Sequence, residues 1–179
     1  MTRIASLDPT TAQGRTKDLL DATQTQLGRI PNLYASMAQS PAALDGYLGF
    51  RGALATGKLS VAMRERIALL TAAVNDCAYC VSAHTFRGAK VGLSENELAA
   101  TQKSQSDDPK NMAALQFVDA LLQHRGNISD EDFTKVKAQG WSDEEIGEMV
   151  AHVALNVFSN YFNHVAAPVL DFPAAAMTR

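Results

Sequence analysis

The sequence predicts an all-α protein of eight or nine helices, with a central helix hairpin that carries a Cys-x-x-Cys motif. Two segments of the form Ser-x-x-Glu, beginning at Ser94 and Ser142, are typical of helix starts. No segment alternates apolar and polar residues as a half-buried strand does, and no Asn-Gly pair marks a β-hairpin. We therefore expect no sheet.

The helices follow from apolar periodicity bounded by start and stop residues. Pro41 and Ser60 are typical first-turn and N-cap residues, and Gly28 and Gly92 are typical stop residues. Asn75-Asp76 interrupts the apolar pattern just before the two cysteines. The predicted helices are 10–27, 31–37, 41 to about 57, 61 to about 74, 77 to about 90, one beginning at 94, 112–122, one beginning at 129, and 143 to about 169.

Length and charge narrow the classes of function. A chain of 179 residues suits a single domain, here 1–179, in which 1–27 forms an N-terminal helical arm. The formal net charge of −3 predicts neither nucleic-acid binding nor attachment to an anionic membrane. The N-terminus lacks an apolar signal core, because Asp8-Pro9 interrupts it early, and no apolar run is long enough to span a bilayer. We expect a cytoplasmic protein.

The only two cysteines, Cys77 and Cys80, lie three positions apart. In a reducing compartment such a pair is typical of redox or metal chemistry rather than of a structural disulfide. His84 follows four residues after Cys80, so on a helix the two share one face. Glu65 lies on the preceding helix, and the midpoint of positions 65 and 84 falls at the Asn75-Asp76 break.

A helix hairpin around that break would place Glu65 and His84 at one level, with Cys80 on the other side of His84. A carboxylate, an imidazole and a thiol in that order can orient a base and activate a nucleophile. Both cysteines would lie in the first turn of a helix, whose positive end favours thiolate over thiol. Cys80 is then the better candidate for the attacking thiol and Cys77 for the resolving one. The reverse assignment stays open.

The motif Glu, eleven residues, Cys-x-x-Cys, three residues, His resembles the core of the AhpD-like alkylhydroperoxidases, within the carboxymuconolactone decarboxylase superfamily. The resemblance extends over 28–173, from Gly28-Arg29-Ile30-Pro31-Asn32-Leu33 to Leu170-Asp171-Phe172-Pro173. The segment Asn160-Tyr161-Phe162-Asn163-His164-Val165-Ala166 is similar to the uncharacterised peroxidase-related branch. The decarboxylase branch typically lacks the cysteine pair, which argues against that activity here.

The resemblance implies an AhpD-like helical fold, a homo-oligomer, no cofactor, and thiol-dependent reduction of hydroperoxides. By that resemblance Cys80 reacts with the peroxide, Cys77 resolves, and His84 and Glu65 relay the proton. An external thiol or protein reductant would regenerate the pair. A last helix with more apolar residues than one core-facing stripe needs also favours an oligomer.

Other interpretations of the same residues remain open. The cysteines could be inert core residues, or could bind zinc with His84 and Glu65. The pair could serve a redox adaptor or disulfide reductase that acts on a protein partner, or be non-essential in a decarboxylase-like enzyme.

The last helix carries a polar stripe at His152, Asn156, Asn160 and Asn163, followed by His164. It faces the thiol site or a subunit interface, or it forms a structural hydrogen-bond network. We name Asn160, His164 and Tyr79 as candidates to surround the thiol site.

Overall fold

The computed structural model describes residues 1–179 and contains nine helices and no strand, which confirms the all-α prediction. None of these helices combines the length and hydropathy needed to cross a bilayer. In chain order the helices are α1 (Gly14–Leu27), α2 (Asn32–Met37), α3 (Pro41–Leu54), α4 (Val61–Val74), α5 (Ala78–Lys90), α6 (Glu95–Thr101), α7 (Pro109–Gln123), α8 (Asp130–Ala138) and α9 (Asp143–Ala166).

The chain divides into two compact units, each with its own buried residues. The first comprises Met1–Ala55 and Tyr161–Asp171, and α3 packs in it against α1 and α2. Its larger buried apolar side chains are Leu19, Leu20, Leu33, Tyr34, Met37, Leu44 and Tyr47. The prediction of a single domain with residues 1–27 as an arm stays a prediction.

The second unit comprises Thr56–Asn160 and Phe172–Arg179, and it contains the Cys-x-x-Cys motif. Helix α4 is its centre: it packs against α5, α6 and α7. Nine of its fourteen residues are buried, which explains why it is apolar on more than one face. One apolar cluster includes Ile67, Leu70, Leu115, Val118 and Met149, and a second contains both cysteines.

Four helix boundaries differ from the predicted ones by at least three residues. α3 ends at Leu54 rather than near Gly57, and the other three differ for a local reason. α1 begins at Gly14 rather than Thr10, because the Asp8 carboxylate accepts hydrogen bonds from the backbone and hydroxyl of Thr10 and holds a turn there. α7 begins at Pro109 rather than Met112, since Asp108 caps it. α9 ends at Ala166 rather than near Val169, because the following proline disfavours helical geometry at Ala167, whose φ is 47°.

The turn between α4 and α5 is a Schellman-type helix end. The Cys77 amide donates to the Ala72 carbonyl at 2.9 Å, and the Asp76 amide donates to the Ala73 carbonyl at 3.2 Å. The residue at the left-handed position of this motif is usually glycine, but here it is Asp76, with φ 52°. The motif reverses the chain within three residues, so α5 folds back along α4.

Asp76 predicts a simple stability experiment. Asp76→Gly should raise the free energy of unfolding by about 1 kcal/mol, because glycine adopts the left-handed conformation without the Cβ clash. Asp76→Val should lower it, since a β-branched residue is disfavoured there. Urea denaturation measures both. Asp107→Gly is the matched control: this exposed aspartate does not have a positive φ, so its substitution should not stabilise the protein. Equal stabilisation by both glycine variants would contradict this account.

Candidate thiol site

Cys77 and Cys80 lie at the start of α5 and are joined by a disulfide, with their Cα atoms 5.3 Å apart. Cys77 is the N-cap residue of α5, and its Sγ accepts a hydrogen bond from the Cys80 amide at 3.4 Å. The sulfurs therefore lie where unpaired amides of a first turn concentrate positive potential. In the reduced protein that potential would favour a thiolate.

The surroundings of the two sulfurs are apolar and closed. Cys77 is 2% exposed and Cys80 3% exposed. The cluster that contains them also includes Leu69, Ala72, Ala73, Val81, Leu93 and Leu98. Apolar burial disfavours a thiolate, so the helix terminus and nearby polar groups must offset this effect if the thiols are to react.

Glu65 and His84 meet across the α4–α5 hairpin. His84 Nδ1 lies 2.7 Å from Glu65 Oε2, and the two side chains are 12% and 17% exposed. A carboxylate on Nδ1 holds that nitrogen in the protonated form and turns Nε2 into the basic one. Because His84 follows Cys80 by one helical turn, the imidazole and the sulfur share a face of α5.

Tyr79 and Asn160, two of the residues named around the site, have definite partners in the second unit. The Tyr79 ring packs edge-on against Phe172, with centroids 5.7 Å apart. Asn160 is fully buried, and its Oδ1 accepts a hydrogen bond from Asn75 Nδ2 at 3.0 Å, so it binds the turn that precedes Cys77. Its own Nδ2 is buried without a partner.

His164, the third of these residues, belongs to the first unit and is exposed. Its carbonyl oxygen accepts a hydrogen bond from the Arg3 guanidinium at 3.2 Å. No group of three or more His, Cys, Asp or Glu side chains is arranged to hold a metal ion.

His152 belongs to the polar stripe predicted on the last helix, but it is not among the predicted site residues. It lies on α9, is 6% exposed, and interacts electrostatically with Arg64, Glu148 and Glu65. Burial, assisted by the Arg64 charge, lowers the pKa of His152 to about 4. In the sequence, His152 is marked only by the recurrence of polar residues at every fourth position of α9. That spacing does not reveal which helix the residues face.

Comparisons with known proteins bear on the family and on the fold. Residues 41–122 match the sequence profile of the carboxymuconolactone decarboxylase family. This segment contains Glu65, Cys77, Cys80 and His84. No curated protein sequence matches the chain significantly.

Solved structures show that the AhpD-like fold extends over nearly the whole chain. An uncharacterized peroxidase-related protein from Silicibacter sp. TM1040 matches with a TM-score of 0.81 at 19% identity, covering 99% of this chain and 97% of that chain. The alkylhydroperoxidase AhpD core of a peroxidase-related protein from Ralstonia eutropha JMP134 matches with a TM-score of 0.81 at 22% identity, over 96% and 94%. The debrominase Bmp8, as a cysteine-to-alanine variant in complex with 2,3,4-tribromopyrrole, matches with a TM-score of 0.80 at 20% identity, over 96% and 92%.

The low pKa of His152 predicts a stability loss in mild acid. The unfolded chain binds a proton at its usual pKa of about 6.5, whereas the folded protein binds it only near 4, so stability is full above 6.5 and falls as the pH drops towards 4. His152 should therefore remove about 2 kcal/mol of unfolding free energy between pH 7 and pH 5. Urea denaturation at the two pH values measures this difference.

Between pH 7 and pH 5, the loss of unfolding free energy in His152→Gln should be about 2 kcal/mol smaller than in the wild type. The exposed His124 provides the control, and His124→Gln should follow the wild type. An unchanged pH dependence in His152→Gln would show that His152 does not titrate with the stated shift.

Proposed function

We propose that this chain is a thiol-dependent peroxidase that reduces hydroperoxides through the Cys77–Cys80 pair. The observation that carries the proposal is the Glu65–His84 hydrogen bond, 2.7 Å long, one helical turn from a cysteine pair at a helix start. The family supplies the scaffold, and similar folds occur in proteins described as peroxidase-related.

The first step requires a thiolate and a proton donor. Cys80 gives its proton to His84 Nε2, and the resulting imidazolium is stabilised by the Glu65 carboxylate. The thiolate attacks the O–O bond of the hydroperoxide and becomes a sulfenic acid. The alkoxide leaves and takes the proton from His84, which gives the alcohol.

The second step closes the disulfide. The Cys77 thiol attacks the Cys80 sulfenic acid, and water leaves. The structure contains this disulfide, with a Cα–Cα separation of 5.3 Å. An external thiol or protein reductant then supplies two electrons and two protons to restore both thiols.

The burial of the sulfurs favours a hydroperoxide over a protein disulfide as the oxidant of the thiol pair, and so favours a peroxidase over a redox adaptor. With Cys77 2% and Cys80 3% exposed, a small hydroperoxide meets less steric resistance than a protein disulfide. The same burial acts on the regenerating step, which passes through a mixed disulfide, so a small thiol reaches the pair more easily than a protein does.

The peroxidase proposal predicts different effects for substitution of the two cysteines. Cys80→Ser should abolish turnover of an organic hydroperoxide, at least a hundredfold below wild type, because no sulfur attacks. Cys77→Ser should consume about one equivalent of hydroperoxide and stop, with a sulfenic acid on Cys80. Turnover of Cys80→Ser is measured with a dithiol as reductant. The single equivalent consumed by pre-reduced Cys77→Ser is measured after the dithiol has been removed, with dimedone labelling and mass mapping. Full turnover by Cys80→Ser would contradict the assignment, and a labelled Cys77 in that variant would reverse it.

The role of Glu65 in the proton relay can be tested against a matched control, the carboxylate that pairs with the next residue of α4. Arg66 forms an ion pair with Glu97 at 2.6 Å, so Glu97→Gln removes a carboxylate close to α4 without touching His84. Glu65→Gln should lower the rate about 10²-fold or more, the size of a general acid–base contribution. Glu97→Gln should lose stability but keep the rate. Equal rate losses in the two variants would show that Glu65→Gln acts by destabilising the fold and not by breaking the relay.

The match to a debrominase supports a second candidate function, reductive dehalogenation of an aromatic ring. The electron balance is the same: two thiols become a disulfide, and a carbon–bromine bond becomes carbon–hydrogen with release of bromide and a proton. Bromide release from a bromopyrrole, compared with alcohol formation from an organic hydroperoxide on the same reduced protein, discriminates between the two.

A homo-oligomer stays a proposal. Of the apolar residues on α9, Phe158 and Tyr161 are exposed together with Val150 and Val165, whereas Val153 and Leu155 are buried. Such an exposed apolar set on one helix supports an interface with another copy.

A further inference from the structure

Residues 172–179 form an extended strap in the second unit, with neither helix nor strand of their own. The strap begins on α5, where the Phe172 ring packs against Tyr79 and Phe86, with centroids 5.7 and 6.0 Å apart. The Arg87 guanidinium lies 5.6 Å from the centre of the same Phe172 ring. Because Tyr79 is one of the two residues between the cysteines, the strap contacts the helical turn that carries the thiol pair.

The middle of the strap is held by side chains of α5 and of the end of α6. The Ala175 amide donates to Ser82 Oγ at 3.1 Å. Gln102 holds the strap backbone at two points: its Nε2 donates to the Ala176 carbonyl at 3.2 Å, and its Oε1 accepts from the Thr178 amide at 3.0 Å. Ser82 and Gln102 are 2% and 3% exposed, so the strap supplies hydrogen-bond partners to two buried polar side chains.

The end of the strap is joined to α7 by an ion pair. Arg179 Nη2 donates to Asp119 Oδ1 at 2.8 Å and to Oδ2 at 3.1 Å, and Arg179 Nη1 donates to Ser104 Oγ at 3.3 Å. The Arg179 and Asp119 side chains are 29% and 24% exposed. An ion pair that water reaches to this extent is a weak link, and it can open without disturbing the helices.

The strap also forms part of the apolar enclosure of the sulfurs. Ala175 and Tyr79 both pack against the cluster that contains Cys77 and Cys80. The other members of that cluster come from α4, α5 and α6 and from Leu93. An extended segment held by side-chain hydrogen bonds and one partly exposed ion pair opens at a lower free energy than packed helices do. The strap is therefore the wall of this cluster that moves most easily.

We propose that the strap is a lid over the thiol cluster, latched by Arg179 on Asp119, and that its opening admits reagents to the sulfurs of Cys77 and Cys80. Exposures of 2% and 3% then describe the closed form. A reagent that reacts only with the open form does so at its intrinsic rate multiplied by the fraction of open molecules. That the natural reagent is a hydroperoxide rests on the proposed function; the lid does not.

The test measures access to the reduced thiols, which requires no peroxide turnover. The rate of alkylation by iodoacetamide is followed from pH 6 to 10 for wild type, Arg179→Gln and Gln102→Ala, with mass mapping of both cysteines. Arg179→Gln should raise the rate about three- to tenfold, the effect of losing one partly exposed ion pair. The increase should persist on the high-pH plateau, where the thiols are already ionised, whereas a lower thiol pKa would shift only the midpoint. Gln102→Ala should act in the same direction.

Two control variants of the same unit distinguish a lid from a general loss of stability. Lys137→Gln removes another surface ion pair, between Lys137 and Asp143 at 2.7 Å. Val136→Ala removes volume from the other apolar cluster. Neither residue contacts the strap, so both variants should alkylate at the wild-type rate. Rates that follow the urea stability of all four variants would overturn the proposal, as would a wild-type rate in both Arg179→Gln and Gln102→Ala.

The outcome is separable from that of the proposed function. If the chain is also a peroxidase, Arg179→Gln should speed thiol oxidation by cumene hydroperoxide more than by hydrogen peroxide, because the larger oxidant depends more on the open form. Faster alkylation in a protein that leaves both hydroperoxides intact would remove only the peroxidase proposal. Hydroperoxide turnover through Cys80, with alkylation unchanged by the strap variants, would remove only the lid.

Discussion

The site depends on the chain reversal between α4 and α5. The two Schellman hydrogen bonds, from Asp76 and Cys77 to carbonyls of α4, end one helix and bring the chain directly to the N-cap of the next. This reversal puts a sulfur at the positive end of α5 and sets the register in which position 65 lies opposite position 84. One residue inserted into α5 before His84 would rotate His84 by about 100° around the helix axis and carry it away from Glu65.

Opposing electrostatic effects act on the thiol pair. The apolar cluster around Cys77 and Cys80 disfavours a thiolate, while the first-turn amides of α5 favour it. In the proposed cycle, the Glu65–His84 pair adds to the second effect by taking the proton. The surrounding helices keep water out, which strengthens both effects.

The spacing of a few residues was enough to predict the hairpin. The motif from Glu65 to His84, with a break at its midpoint, requires only helical geometry and a tight turn, and both are local properties of the chain. The ends of helices that depend on a single side chain were less predictable. Asp8 holds a turn where α1 was expected to begin, and the proline after Ala167 ends α9 three residues before the predicted limit.

The neighbours of the site could not be predicted from the sequence, because they come from distant segments. The contact of Tyr79 with Phe172 joins positions far apart in the chain, and periodicity does not say which residues meet across two helices. His152 is the clearest case: the stripe on α9 was visible, but its partner helix was not. Its low pKa arises from burial, which is a tertiary property.

The most direct measurement of the central claim is a count of thiols in the fully reduced protein before and after one equivalent of an organic hydroperoxide, followed by mass mapping. The account predicts rapid loss of two thiols, formation of a disulfide between Cys77 and Cys80 within one chain, and one equivalent of alcohol. Two thiols that persist in folded protein, with the hydroperoxide unconsumed, would contradict it.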